Sequence, residues 1–171
     1  MPKPTLSNVL EVQDPMLSDN FEMTFSSVPG AESDANRKLT VQCKTAIKPG
    51  TTLTEVEIEL FGHKVMHAAK REYSHDMSIE FVEDRNGSIT AALEGWMEYA
   101  RETATQHGKF KKDYAVNAVF LIFDQTGETT MEYKIVNCWP SSVEDLSFDG
   151  SGGTALPASA TFKFDYVERI R

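Results

Sequence analysis

Histidines and one Ser-His-Asp run are the side chains in this sequence that could do chemistry. The run Ser74-His75-Asp76 holds the residue types of a hydrolytic triad, but triad members come together in space and rarely from adjacent positions. His63 and His67 share one face of a regular strand, yet their spacing to His75 matches no recognised zinc pattern. The sequence has no nucleophile elbow, phosphate-binding loop or dinucleotide fingerprint. We therefore expect a protein that is not an enzyme, with no catalytic residue, no metal and no cofactor.

The two cysteines, Cys43 and Cys138, leave two interpretations open. They lie too far apart in the chain to suggest a metal motif or a disulfide framework. Either they are buried free thiols, since cysteine is generally buried, or they form a disulfide within or between subunits.

Size and charge exclude several classes of protein. The chain of 171 residues fits one domain, and its net charge of -9 argues against wrapping nucleic acid, which needs basic patches. An acidic wall would instead repel phosphate and let a strand slide past. No stretch approaches the roughly 20 apolar residues of a membrane span. Residues 1–20 lack a cationic segment followed by an apolar one, so we expect no signal peptide and synthesis in the cytoplasm.

Alternation of apolar and polar residues predicts most of the chain to be β-strand. The strictest case is 54–60, where Val56, Ile58 and Leu60 alternate with glutamates, a pattern typical of a strand with one face in a core and one in water. In the strand at 77–82, Ile79 and Phe81 are expected to point inward. The predicted strands are 21–26, 38–44, 54–60, 63–69, 77–82, 115–123, 130–138, 143–148 and 160–166.

One segment has helical spacing. After Asn86-Gly87, apolar residues recur on one helical face at Ile89, Leu93, Trp96, Met97 and Ala100. We expect Asn86 or Ser88 to cap this helix and His107-Gly108 to end it after about five turns. The sequence thus predicts a mainly β protein, an antiparallel sandwich or barrel of eight or nine strands with one flanking helix. Residues 1–18 form an arm and residues 19–171 the domain.

Several segments together resemble a known family. A strand ends in an apolar-Pro-Gly turn at 41–50, and a basic, an aromatic and an acidic residue precede alternation at 71–81. The Trp96 helix follows, then Asn137-Cys138-Trp139-Pro140 and an aromatic strand ending at 164–166. This order, over roughly 20–167, is similar to that of the tail tube proteins of contractile phages. The sequence departs from the family pattern at Asn137-Cys138, where glycine and an apolar residue are common, and residues 1–18 match nothing in it.

The resemblance implies an architecture and a set of partners. Six copies would form a ring, and stacked rings would form a hollow cylinder inside a contractile sheath. Baseplate and tail terminator proteins would bind its ends, a tape-measure protein would lie inside it, and phage DNA would pass through without specific binding. The expected location is the tail of the virion, assembled in the host cytoplasm.

The resemblance also suggests roles for acidic side chains. Glu55, Glu57 and Glu59 would line the bore, joined by Glu80 if its strand lies beside theirs; the alternative is a solvated outer strand face. The helix would lie on the tube exterior, where Glu94, Glu98 and Glu102 would meet the sheath; the alternative is a solvated helix face.

Loops and edges would make the remaining contacts of a tube. Ring stacking is expected at Ile47, Lys48, Pro49, Gly50, Thr51 and Thr52. The 53–69 hairpin has no proline to block its edge, so a neighbouring subunit could pair with it, unless a loop of the same chain covers it. Two further functions stay open: a secreted tube of a type VI or bacteriocin-like injection system, and a β-barrel that binds a small ligand in its interior.

Overall fold

The computed structural model describes residue 3 and residues 5–171, apart from the side chain of residue 9. Its strands are β1 Phe21–Phe25, β2 Cys43–Ala46, β3 Thr51–Leu60, β4 His63–Tyr73, β5 Asp76–Val82, β6 Val116–Phe123, β7 Thr129–Val143, β8 Pro157–Lys163 and β9 Tyr166–Arg169. Its helices are α1 Leu6–Leu10, α2 Ala35–Val41, α3 Ser88–Ala100 and α4 Lys111–Tyr114. Nine antiparallel strands confirm the predicted mainly β fold; α3 is the predicted helix, and the three shorter helices were not predicted.

The body of the molecule is one antiparallel sheet rolled on itself. Its strand order is β1-β6-β7-β8-β5-β2, and β9 pairs with β7 beside this path. The long strand β7 joins two halves of the sheet, because its first part pairs with β6 and β9 and its last part pairs with β8. It bends at Asn137, a non-glycine residue in the left-handed region with φ 55°. The Asn137 side-chain amide donates to Asp165, whose carboxylate also pairs with Lys111.

The core lies inside this roll and is closed by α3. The Phe25 ring, from one end of the sheet, stacks on Phe162 at 5.1 Å between centroids and meets the edge of Trp96 at 5.6 Å. All three side chains are fully buried. The Trp96 indole donates its Nε1 proton to the carbonyl of Tyr114 at 2.7 Å, so the one polar atom of this ring is satisfied. Burial of large aromatic side chains makes α3 an integral layer of the body.

Helix α3 begins where the sequence indicates, but its cap differs from the prediction. The residue before it is Gly87, in the left-handed region with φ 69°, and neither Asn86 nor Ser88 caps it. Two carboxylates act instead: Glu83 accepts from the amides of Ile89 and Thr90, and Asp84 accepts from the amide of Ser88. Upstream acidic groups at the positive end of a helix do the work of a cap residue.

Several predicted boundaries were wrong. The predicted strand at 38–44 is mostly α2: Ala35 and Leu39, four residues apart, are buried on one face, while Val41 is exposed. Helix α3 stops at Ala100 instead of His107, because Arg101 is extended and bridges to Gly108. No strand lies between residues 144 and 156. The predicted last strand divides into β8 and β9 at the turn held by the Asp165 contacts.

The part of the chain before β1 holds little regular structure. Residues 1, 2 and 4 of the predicted arm lie outside the described residues; of the rest, only α1 is regular, with Leu6 and Leu10 exposed. Among the described residues, no helix has the length and apolar character needed to cross a membrane.

A close contact between two glycines fixes a loop onto α3 and gives a test of the packing. A Cβ at Gly30 would lie 2.5 Å from the carbonyl oxygen of Gly95 and 2.6 Å from the Cβ of Tyr99, and Gly30 has φ 76°. We expect Gly30→Ala to lower the free energy of unfolding by roughly 2 kcal/mol or more, measured by urea denaturation. Gly150→Ala is the control, since no atom lies within 4 Å of a Cβ there. Equal midpoints for the two variants would contradict this packing.

Candidate assembly surface

Strands β3 and β4 form a hairpin that stands apart from the rolled sheet. They make a separate two-stranded sheet, and neither pairs with any other described strand. Cross-strand partners run from Thr51 opposite Tyr73 to Leu60 opposite His63, with one bulge between Leu53 and Glu55. At its base, the Tyr73 hydroxyl donates to the carbonyl of Val167 at 3.4 Å and links the hairpin to the body. The hairpin therefore leaves both outer strand edges open.

One face of the hairpin is apolar and uncovered. Cross-strand pairs share a face, so the pairs Val56–His67, Ile58–Val65 and Leu60–His63 lie together. The exposed fractions are 49% for Val56, 43% for Ile58, 62% for Leu60 and 51% for Val65. The alternation predicts one face of this strand in a core, and in the single subunit that face is exposed. Alternation reports that one face is to be buried, and it does not say which molecule buries it. We call these six residues the apolar hairpin face.

The opposite face of the hairpin carries the predicted bore-lining glutamates. Glu55, Glu57 and Glu59 are all exposed on β3. Lys64 stands opposite Glu59, and its Nζ lies 2.6 Å from a carboxylate oxygen of Glu57. One lysine thus offsets part of the negative charge on this face. The structure does not bring Glu80 to this group: it lies on β5 in the main sheet, where its carboxylate meets Lys44 Nζ at 2.6 Å.

The tip of the hairpin is a phenylalanine that the sequence analysis overlooked. Phe61 is 99% exposed and adopts φ 53°, followed by Gly62 at φ 77°. Both values fit a two-residue turn of the kind that suits hairpins, in which asparagine or glycine usually stands first. The signal in the sequence is the pair Phe61-Gly62 between two alternating runs, with an aromatic residue at the first turn position. The strain that the structure shows there is of the kind that clusters at functional sites.

The predicted inter-ring loop is partly a loop and partly strand. Thr51 and Thr52 belong to β3 and pair with Tyr73 and Glu72. Before them, Ile47 is 57% exposed and Pro49 is buried. Lys48 places its ammonium 4.7 Å from the centre of the Tyr133 ring, which holds the loop against β7. Ile47 is thus the apolar side chain that this loop offers to another molecule; Gly50 is also exposed.

The three predicted sheath-facing glutamates differ in their surroundings. Glu94 is exposed on α3. Glu98 accepts hydrogen bonds from the backbone amide of Thr103, at 2.9 Å, and from its hydroxyl. Glu102 lies beyond the end of α3, and its carboxylate accepts from the Thr105 hydroxyl. Two of the three carboxylates therefore hold the loop that follows α3.

Hydrogen bonds from Thr103, through its hydroxyl and its amide, lower the pKa of Glu98. Because this pKa is lowered, the contact stabilises the loop fully at pH values above the ordinary glutamate pKa of about 4.3. The stabilisation is lost as the pH falls through the lowered pKa. At neutral pH, Glu98→Ala should speed hydrogen exchange in the loop, and Glu94→Ala should not. Mass spectrometry of peptides covering 101–109 measures this difference, and identical exchange in the two variants would contradict the assigned contact.

The two cysteines are free thiols in the structure. Cys138 is fully buried beside the bend of β7, and Cys43 is half-buried at the start of β2. Burial raises the pKa of both thiols, that of Cys43 to about 12. Both are therefore protonated at neutral pH and are poor nucleophiles.

Ser74, His75 and Asp76 make ordinary contacts of a turn between strands. The His75 ring nitrogen Nδ1 lies 2.9 Å from the carbonyl oxygen of Phe164, the Ser74 hydroxyl donates to the carbonyl of Asp76, and the Asp76 carboxylate pairs with Lys163. These three side chains join strands and do not converge on a common point.

Known proteins share the sequence pattern and the fold of this chain. The sequence matches the phage tail tube protein family over residues 9–168. The chain therefore belongs to that family, whose members are structural tube proteins, and the resemblance noted in the sequence is confirmed. No curated protein matches the sequence.

Solved structures from contractile injection systems share the fold. The tube-terminating cap of the anti-feeding prophage has 16% sequence identity and a TM-score of 0.67, with 92% of each chain covered. The PVC sheath/tube terminator has 14% identity and a TM-score of 0.68, covering 94% of this chain and 99% of the other. A chain of the PVC sheath–tube complex has 12% identity and a TM-score of 0.65, with 98% of each chain covered.

Proposed function

We propose that this protein is a tube subunit of a contractile phage tail, in which six copies form a ring and rings stack into a hollow cylinder that delivers DNA. Its role is structural and not enzymatic. Family membership over residues 9–168 supports the tube role, and the fold shared with the PVC sheath–tube complex agrees with it. The partners would be further copies of the chain, a tail sheath protein, baseplate and terminator proteins and a tape-measure protein inside the bore.

The uncovered β3–β4 hairpin is the observation that carries this proposal. An isolated two-stranded hairpin is marginally stable in water, and long open strand edges invite pairing with another chain. Here the hairpin also exposes four aliphatic side chains on one face. If the hairpin of every subunit lies on a neighbouring copy and pairs with it, the contact would stabilise the hairpin, pair its open edges and bury its aliphatic side chains. A ring then buries all its hairpins by one repeated contact.

Such a ring would direct the other hairpin face toward the bore. Glu55, Glu57 and Glu59 lie opposite the apolar face, and six copies would repeat them around the channel. An annulus of carboxylates repels phosphate and keeps DNA from binding to the wall. Glu80 lies away from this group, so its place in the bore stays a prediction from the sequence, as do the sheath contact of Glu94 and the stacking contact of Ile47.

One observation favours a second candidate function, a terminating ring. Both the anti-feeding prophage cap and the PVC terminator share this fold over more than nine-tenths of the chain. A terminator ring would form but would not stack into long tubes. The ligand-binding barrel has less support, because the interior of the roll is filled by fully buried side chains such as Phe25, Phe81 and Trp96.

Electron microscopy of the purified protein at high concentration tests the proposal. We expect rings of six subunits and hollow tubes of constant diameter. Rings without tubes would favour the terminator, and a monomer at every concentration, even with sheath protein added, would contradict both. The neighbouring genes separate a phage, which also encodes a capsid, from a type VI or bacteriocin-like system.

A substitution in the apolar hairpin face should abolish assembly without unfolding the body. Ile58→Asp places a carboxylate in the centre of the face, where burial against another copy would leave it unpaired. We expect monomers by sedimentation velocity, with a far-UV circular dichroism spectrum that shows the body still folded. Glu55→Gln, on the opposite face of the same strand, is the matched control and should still form rings. Assembly by the Ile58→Asp variant at the wild-type concentration would refute the role of this face.

A further inference from the structure

The apolar hairpin face contains two titratable side chains, one at each end. His67 stands opposite Val56 and His63 opposite Leu60, with the Ile58–Val65 pair between them. Both imidazoles are exposed, and the structure records no hydrogen bond or ion pair for either within residues 3 and 5–171.

By alternation along β3, Thr52 shares the face of Val56, so its partner Glu72, at the base of the hairpin, is the charged residue on the same face as these imidazoles. Glu55, Glu57, Glu59 and Lys64 lie on the opposite face, and Lys70, Arg71 and Glu72 follow the bulge toward the base. The two strands pair only with each other among the described residues, so no further strand contributes a partner. A neighbouring copy that covers the face would surround the imidazoles with Val56, Ile58, Leu60 and Val65.

We propose that the apolar hairpin face binds a second copy of this chain only while His63 and His67 are neutral, so that mild acid separates the assembled subunits. This inference rests on the proposed self-assembly. Burial of a charged group without a partner is unfavourable, whereas a neutral imidazole can be buried among aliphatic side chains.

The expected size of the effect follows from the free histidine pKa. Histidine is the side chain that ordinarily changes its charge between pH 5 and pH 8, so a covered face that excludes the protonated ring should associate roughly 10-fold more weakly per histidine at pH 5.5 than at pH 7.5. Two histidines per covered face give roughly 100-fold per contact. Carboxyl groups ordinarily titrate well below this pH range.

Sedimentation velocity at pH 7.5 and pH 5.5 tests this proposal. We compare the wild type, the double variant His63→Gln/His67→Gln, and His107→Gln, which changes an exposed histidine in the loop after α3. The wild type and His107→Gln should assemble at pH 7.5 and dissociate at pH 5.5, while the double variant should stay assembled at both. Far-UV circular dichroism at pH 5.5 separates dissociation from unfolding.

Three results would overturn the inference. Wild-type assembly that is equal or stronger at pH 5.5 would mean that the face accepts charged imidazoles or meets carboxylates of the neighbour. Dissociation of the double variant at the same pH as the wild type would assign the effect to other groups. A wild type that is monomeric at both pH values would overturn the proposed self-assembly itself. The monomeric state at pH 7.5 distinguishes this outcome from assembly that merely does not weaken in acid.

Discussion

The backbone ladder between β3 and β4 is the interaction on which the assembly surface depends, because these strands pair with nothing else among the described residues. A ladder of two strands gains little from its own hydrogen bonds in water, since water competes for the same groups. Its apolar face gains stability only when another surface covers it. In the proposed assembly, folding and association would thus be coupled in the hairpin, because each contact with a neighbour would order the strands that make it.

The rolled body supplies the rigid platform that such a hairpin needs. Its core is closed by aromatic contacts among Phe25, Phe162 and Trp96, and the Lys111–Asp165–Asn137 contacts hold β7 at its bend. The hairpin leaves this body next to the same region. The firmly packed body sets the position of the hairpin, and in the proposed assembly the neighbouring copies would determine whether the hairpin is ordered.

Local patterns predicted the fold well where one chain determines burial. The alternation of β5 and the helical spacing of α3 both matched the structure, since each faces the core of its own subunit. The 38–44 segment failed because Leu39 and Val41 suggest alternation, whereas Leu39 is buried with Ala35 on a helical face. The hairpin strands were predicted, but not their exposure, because alternation carries no information about the covering molecule. The sequence places Glu98 in an acidic stripe with Glu94 and Glu102. Its hydrogen bonds from Thr103 could not be predicted, because they depend on a turn that no periodicity indicates.

Hydrogen exchange of the β3–β4 amides in the separated subunit and in the assembled state tests the coupling of hairpin order and association most directly. We expect fast exchange throughout 51–73 in the monomer and slow exchange in the assembly, with the amides of β6 and β7 protected in both. Equal protection of the hairpin in the two states would mean that the hairpin is stable alone and that other surfaces hold the subunits together.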